Sequence, residues 1–149
     1  PVQHVDLAEL AGQVVAVWRR RSGRTIEVLA TGQGTVDGRP QMLERCIGNL
    51  VQNAVKYSPA DTPIEVHVSV SEVRVLDRGP GIGPADASRV FERFYRTDTA
   101  RSVPGSGLGL AIVQQVVDRH GGVVWATERA GGGADVGFRL PDAGSSASA

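Results

Sequence analysis

The chain has a single cysteine, Cys46, so neither an internal disulfide framework nor a multi-cysteine zinc site can be built within it. Its three histidines, His4, His67 and His120, are scattered and lack any metal-binding spacing such as H-E-x-x-H. Lysine occurs once, at Lys56, and aromatic residues make up only 5% of the 149. Net charge is absent too: 16 basic residues face 16 acidic ones, which argues against a nucleic-acid binder held by bulk positive charge. No apolar run approaches the roughly 20 residues that span a bilayer, and the first residues carry no signal-peptide pattern. Gly-Lys-Ser/Thr occurs nowhere, which excludes a P-loop.

With 41% apolar and 21% charged residues, the chain is not of the disordered class. A chain of this length forms one domain and buries roughly 68–70% of its unfolded surface, enough for a core without staples. It opens on Pro1 rather than Met and is read as a piece of a longer protein.

Asp6 and Glu9 form a capping-box pattern ahead of Leu7, Leu10, Ala11, Val14, Val17 and Trp18 at helical spacing. This helix is expected to stop near Arg21-Ser22-Gly23, with His4 before it in a linker. Thr25 to Thr31 alternates as a strand, Gly32 and Gly34 break it, and Thr35-Val36 suits a short second strand. A second helix runs from about Arg39 to Tyr57, with Pro40 in its first turn and Ser58-Pro59 after it. Ile64 to Val70 and Val73 to Asp77 read as a tight hairpin across Ser71-Glu72. A turn from Gly79 to Pro84 leads to a short helical piece around Asp86 to Phe91. Arg96 to Ser106 has almost no apolar content and is expected to be a mobile surface loop. A helix then opens at Gly107 or Leu108, runs to His120 and ends at Gly121-Gly122. Val123 to Glu128 and Val136 to Leu140 are the last strands, joined through Gly131-Gly132-Gly133, and the small polar tail Asp142 to Ala149 is expected to be disordered. Strands in adjacent pairs predict an α+β fold: a two-layer sandwich with a mixed, mainly antiparallel sheet of about five strands and three main helices on one face.

Three patterns carry chemistry. At about 100° per residue, Asn49, Asn53 and Lys56 fall on one stripe of the second helix, apart from the apolar stripe Leu43, Ile47, Leu50 and Ala54, with Tyr57 between them. Asparagine is a poor helix former, and its oxygen suits a Mg²⁺ already held mostly by phosphates and water. Asp77-Arg78-Gly79-Pro80-Gly81-Ile82 places a carboxylate beside bare backbone at a strand end, where it can accept from an exocyclic amine. Gly105-Ser106-Gly107-Leu108-Gly109-Leu110 opens a helix whose free amides favour phosphate; with Leu110 where a third glycine is needed, it is no dinucleotide fingerprint. Each alone has a bland reading, respectively a solvated face, ordinary turn chemistry and close packing.

Their order makes the chain resemble the ATP-binding catalytic domain of sensor histidine kinases, in the superfamily that also holds gyrase, Hsp90 and MutL ATPases. The resemblance rests on Asn49 to Tyr57 (N box), Asp77 to Ile82 (first glycine box), Val90 to Arg96 (F box) and Gly105 to Val113 (second glycine box), and covers about residues 5–141. It implies a Bergerat-type fold over 1–141 with ATP and Mg²⁺ as ligands. Asn53 then holds Mg²⁺ with Asn49 near it, Lys56 contacts phosphate, and Tyr57 flanks adenine or ribose. Asp77 accepts from the adenine amine, and Gly79 and Gly81, followed by Ile82, make room for the base. Arg96 and Arg101 reach the terminal phosphates. Gly105, Gly107, Leu108 and Gly109 form the lid over the triphosphate, with Phe91 and Phe94 at its base.

The sequence departs from that family's pattern in three places. The Ser71-Glu72 link is short, and Ala134 and Val136 stand where a Ser or Thr and a Phe are common, which implies a lost polar contact near the adenine pocket. No H-E-x-x-x-P phosphoacceptor motif is present. The implied activity is therefore transfer of the γ-phosphate of ATP to a histidine on a separate dimerisation/phosphoacceptor domain. A cognate response regulator would act downstream, and the parent would be a sensor anchored in the bacterial inner membrane with this domain on its cytoplasmic side. The alternatives are an ATPase of the same superfamily and a non-catalytic nucleotide-binding module. Asn49 weighs against the ATPase, because it stands where those enzymes place a water-activating Glu.

Overall fold

The computed structural model describes residues 1–87, 89–92 and 109–142. The expected loop, the first four residues of the second glycine box and the tail beyond Asp142 lie outside the described residues.

Helix α1 spans Leu7–Ser22. Asp6 caps it by accepting from the Glu9 amide at 3.2 Å, and Gly23 ends it in the left-handed region at φ 70°. Its Leu7, Leu10, Ala11, Val14 and Val15 are buried. Gly12 sits in the interior of α1 with nothing within 4 Å of where a Cβ would stand. Gly12→Ala is therefore expected to stabilise the chain by about 0.8–1.0 kcal/mol, read as a rise in denaturant midpoint at constant slope.

Strand β2 (Ile26–Ala30) pairs in parallel with β4 (Ile64–Val68). β4 then pairs antiparallel with β5 (Glu72–Leu76), β5 with β7 (Ala134–Arg139), and β7 with β6 (Val123–Glu128). The sheet order is β2-β4-β5-β7-β6, mixed and mainly antiparallel as the pairing of strands predicts. Alternation sets the faces: Ile64, Val66 and Val68 are buried while Glu65 and His67 are half-buried. Helices α1, α2 (Pro40–Tyr57) and α4 (Gly109–Arg119) pack on the buried face, α2 lying between the other two. The core joins Leu43, Ile47, Leu50 and Val51 of α2 to Val15, Val66, Val73, Val113, Val117 and Phe138. Each such side chain contributes on the order of 1.5–3 kcal/mol of hydrophobic burial. Cys46 lies in this core, and burial pushes its thiol up to about 12.

Three elements differ from the sequence expectation. Gln3–Val5 form strand β1, paired antiparallel with β3 (Val36–Gly38), so His4 lies on a strand, with Nδ1 2.9 Å from Asp37, and not in a linker. Three residues with one buried side chain, Val5, are too few to show a period. β7 begins at Ala134 because the Asp77 amide donates to the Ala134 carbonyl at 3.0 Å, extending the ladder into what reads as a glycine loop. The short helix α3 occupies Pro84–Ala87, earlier than expected, and residues 89–91 lie in turns. α4 is described from Gly109, with residues 107 and 108 outside the described set.

The start of α2 is capped from a distance. Arg39, its N-cap residue, has no side-chain cap of its own, and its amide donates to His120 Nε2 at 3.0 Å. Since that nitrogen must accept, Nδ1 carries the ring proton and donates to the Val116 carbonyl at 2.7 Å. The ring thus ties the end of α4 to the start of α2.

Candidate functional site

Strand β5 ends at Leu76 and delivers Asp77 into the interior, 4% exposed. Its Oδ1 accepts from the Gly79 amide at 2.7 Å and the Ala134 amide at 3.3 Å. Among the described residues Oδ2 has no such partner, so one carboxylate oxygen stays free to accept from a ligand. Burial raises the Asp77 pKa above the usual carboxylate range, against the two amides and the nearby charges of Arg129 and Arg24, which lower it. The Ala134 substitution noted in the sequence leaves this contact intact, since it is the main chain at 134 that donates.

The glycines around Asp77 are required by protein backbone. A Cβ on Gly79 would stand 2.7 Å from the Tyr57 carbonyl oxygen, and one on Gly81, at φ 79°, 3.0 Å from the Gly133 carbonyl oxygen. The 79–81 turn is therefore pressed between the end of α2 and the β6–β7 turn. Two arginines the sequence reading passed over hold that turn. Arg78 donates to the carbonyls of Gly132 at 2.9 Å and Ala130 at 3.3 Å. Arg129 donates to Glu65 at 2.5 Å and to the Asp77 carbonyl at 3.4 Å. A third, Arg24, gathers oxygens at the end of α2. Arg24 and Arg129 stand outside any motif, and Arg78 inside the first glycine box has no distinguishing pattern; only the fold shows what they reach.

The polar stripe of α2 runs away from this turn. Tyr57, at the helix end, meets Gly79 through its carbonyl, and Asn53 and Asn49 lie about 6 and 12 Å back along the axis. Asn49 and Asn53 are half-buried and Lys56 is exposed. Among the described residues the Nδ2 of Asn49 is buried without a hydrogen-bond partner, an unsatisfied donor on this stripe. α4 packs against α2, and His120 just past its end is tied to the Arg39 amide at the start of α2. Gly109 is exposed, with nothing within 4 Å of a Cβ position. Ile82 and Phe91 are half-buried against the core.

The structure thus brings Tyr57, Asp77, Gly79 and Gly81 into one cluster and places Asn53 and Asn49 farther back along the helix that ends there. Phe94, Arg96, Arg101, Gly105, Gly107 and Leu108 lie outside the described residues. Among the described residues no group of three or more His, Cys, Asp or Glu could cage a metal. What the polar stripe of α2 offers is the neutral carboxamide oxygens of Asn49 and Asn53, a donor type suited to Mg²⁺ that brings its other oxygens from phosphate and water. Among the described residues no helix is long and apolar enough to cross a membrane.

Comparison with known proteins agrees with this geometry. Residues 38–144 match the family described as histidine kinase-, DNA gyrase B-, and HSP90-like ATPase. The signal transduction histidine-protein kinase/phosphatase MprB of Mycolicibacterium smegmatis is 43% identical over 160 residues, covering 97% of this chain and 32% of that protein. Its counterpart in Mycobacterium leprae is 44% identical over 134 residues, covering 86% of this chain and 26% of that one. The chain therefore spans about a third or less of the length of these relatives. Among solved structures, a mycobacterial sensor histidine kinase MprB superimposes with a TM-score of 0.83 at 36% identity, covering 95% of this chain and 99% of that one. Full-length ShkA in complex with AMPPNP superimposes with a TM-score of 0.78 at 31% identity, covering 95% of this chain and 31% of that one. A buried aspartate on a glycine turn, an asparagine stripe on the adjoining helix and these matches lead to one assignment: the chain belongs to the histidine kinase-, DNA gyrase B- and HSP90-like ATPase family, as a domain of the sensor histidine kinase type.

Proposed function

We propose that residues 1–141 bind Mg-ATP and present its γ-phosphate to a histidine on the dimerisation/phosphoacceptor domain of a sensor histidine kinase, with 142–149 as a tail. The observation that carries this reading is Asp77, whose Oδ1 is taken by two main-chain amides and whose Oδ2 is left to accept from the adenine amine. The AMPPNP bound to the ShkA relative supports a nucleotide site in this fold. Tyr57 lies beside the base, the unpaired Asn49 amide and Lys56 face phosphate, and Asn53 holds Mg²⁺, which when bound neutralises phosphate charge. Arg96, Arg101, Gly105, Gly107, Leu108 and Gly109 close the phosphate end by the family resemblance. The chain supplies position and electrostatics, and the acceptor histidine brings its own nucleophilic nitrogen. Asn49, a carboxamide, has no basic site with which to activate water, which disfavours the ATPase alternative. The parent would sit in the bacterial inner membrane with this domain on the cytoplasmic side, and a response regulator would receive the phosphate.

The test is incubation with γ-labelled ATP. Alone, the chain should neither label itself nor release phosphate at an appreciable rate. An acceptor-helix domain from the same parent should become labelled, with a gain of several orders of magnitude from positioning. Rapid phosphate release by the chain alone would instead identify an ATPase, and binding without transfer to the acceptor a nucleotide-sensing module.

Asn53→Ala separates the metal end from the base end. In the native chain, chelating Mg²⁺ should weaken ATP binding about tenfold, or roughly 1.4 kcal/mol. In the variant, affinity in Mg²⁺ should fall to the chelated value and respond no further to the metal, as a calorimetric titration with and without chelator would show.

A further inference from the structure

We propose that Arg24 is a positioning residue for the nucleotide, gathering the carbonyls at the end of α2 so that Tyr57 is held against the Gly79 turn that carries Asp77. This rests on the reading that the Asp77 cluster binds nucleotide. Arg24 comes from the link between α1 and β2 and is 9% exposed. Its guanidinium donates to Val55 O at 3.1 Å, Ser58 Oγ at 2.8 Å, Ser58 O at 3.4 Å, Pro59 O at 2.7 Å and Thr62 O at 3.0 Å. These oxygens lie at or just beyond the end of α2, where helix carbonyls lose their intrahelical partners. Ser58 Oγ in turn donates to Ala54 O at 2.6 Å, so the fork locks the final turn from both sides. Tyr57 falls between two of the gripped residues, and its carbonyl is the one that approaches Gly79.

The arrangement is unfavourable as a plain helix cap. The Arg24 Nε is buried without a partner, and among the described residues no carboxylate forms an ion pair with this guanidinium. Burying a charge is costly unless it is paired and hydrogen-bonded, and here neutral oxygens alone supply the hydrogen bonds. Here the charge is also felt at Asp77, where it lowers the proton affinity that burial raises. Among the described residues the other charge acting on Asp77 is that of Arg129, from the β6–β7 turn, which itself pairs with Glu65 of β4; Arg78 is turned onto the 130–132 carbonyls.

The experiment measures ADP affinity by calorimetry from pH 4.5 to 8 on the whole chain, with thermal melts confirming that each variant is folded. ADP binding by the native chain should fall on acidification as Asp77 is protonated. Arg24→Met should weaken ADP binding about tenfold at pH 7 and move the acid limb to higher pH. Arg24→Lys, which keeps the charge but not the fork, should restore the native acid limb with a smaller loss of affinity. Ser58→Ala should weaken ADP binding about threefold with the limb unmoved. A folded Arg24→Met chain with native affinity and native acid limb, however much its melting point has dropped, would overturn the proposal and leave Arg24 a structural cap. If Arg24→Met does not fold, native ADP affinity in both Arg24→Lys and Ser58→Ala overturns it equally. A native chain that binds no ADP overturns the nucleotide reading itself, which separates the two failures.

Discussion

Asp77→Asn is expected to lower affinity for ADP about a hundredfold while leaving the unliganded chain at least as stable at pH 7. The loss arises because the amide oxygen must face the Gly79 and Ala134 amides, which only donate. The amide NH₂ then points where Oδ2 stood and meets the adenine amine donor to donor. Removing a charged acceptor and leaving a buried donor unpaired together weaken binding by about 3 kcal/mol. The stability expectation follows from linkage. Burial raises the carboxyl pKa of the folded state above its unfolded value. The folded chain therefore holds this proton more tightly, and the associated stability is full below the unfolded pKa and lost as pH rises through the folded one. At neutral pH the ionised carboxylate is a net penalty on folding that asparagine does not carry. Melting curves of both chains at pH 7, beside ADP titrations, check the two halves. A variant that binds ADP normally would show that Oδ2 is not the adenine acceptor.

Gly133→Ala should be among the most damaging changes to the fold. Gly133 has φ 114°, and a Cβ there would lie 1.9 Å from the Asp77 carbonyl oxygen and 3.0 Å from the Arg78 Cα. The backbone has to move, and what moves is the strand end that aims Asp77. The left-handed backbone contributes about 1–2 kcal/mol and the overlap about 1–3 more, so the melting point should fall on the order of 10 °C, with ADP binding lost in the folded remainder. Gly132→Ala is the control: φ is 104° but nothing lies within 4 Å of its Cβ position, so it should show only the smaller, conformational part.

Much of this was legible in the residues, for identifiable reasons. The apolar stripe of α2 and the alternation of β4 are period signals, and both segments bury the faces they predict. Asp77 and its glycines stand next to one another in sequence, so a single strand end reveals them. What was hidden depends on contacts between distant segments. Strand β1 exists because Val5 and His4 find Val36 and Asp37, and nothing local to residues 3–5 announces that. Arg24 reaches oxygens 31 to 38 residues away, and Arg129 reaches back 64 residues to Glu65. That Gly79 also lies against the Tyr57 carbonyl is a contact between distant segments that its own motif does not show.

The central claim is a single adenine-selective nucleotide site built on Asp77. The measurement that tests it most directly is calorimetric titration of the chain with ADP and with GDP in Mg²⁺, repeated on Asp77→Asn. One ADP should bind per chain, preferred over GDP by about a hundredfold, and the variant should lose that preference. Equal affinity for ADP and GDP, or an ADP preference that survives in Asp77→Asn, would contradict the account.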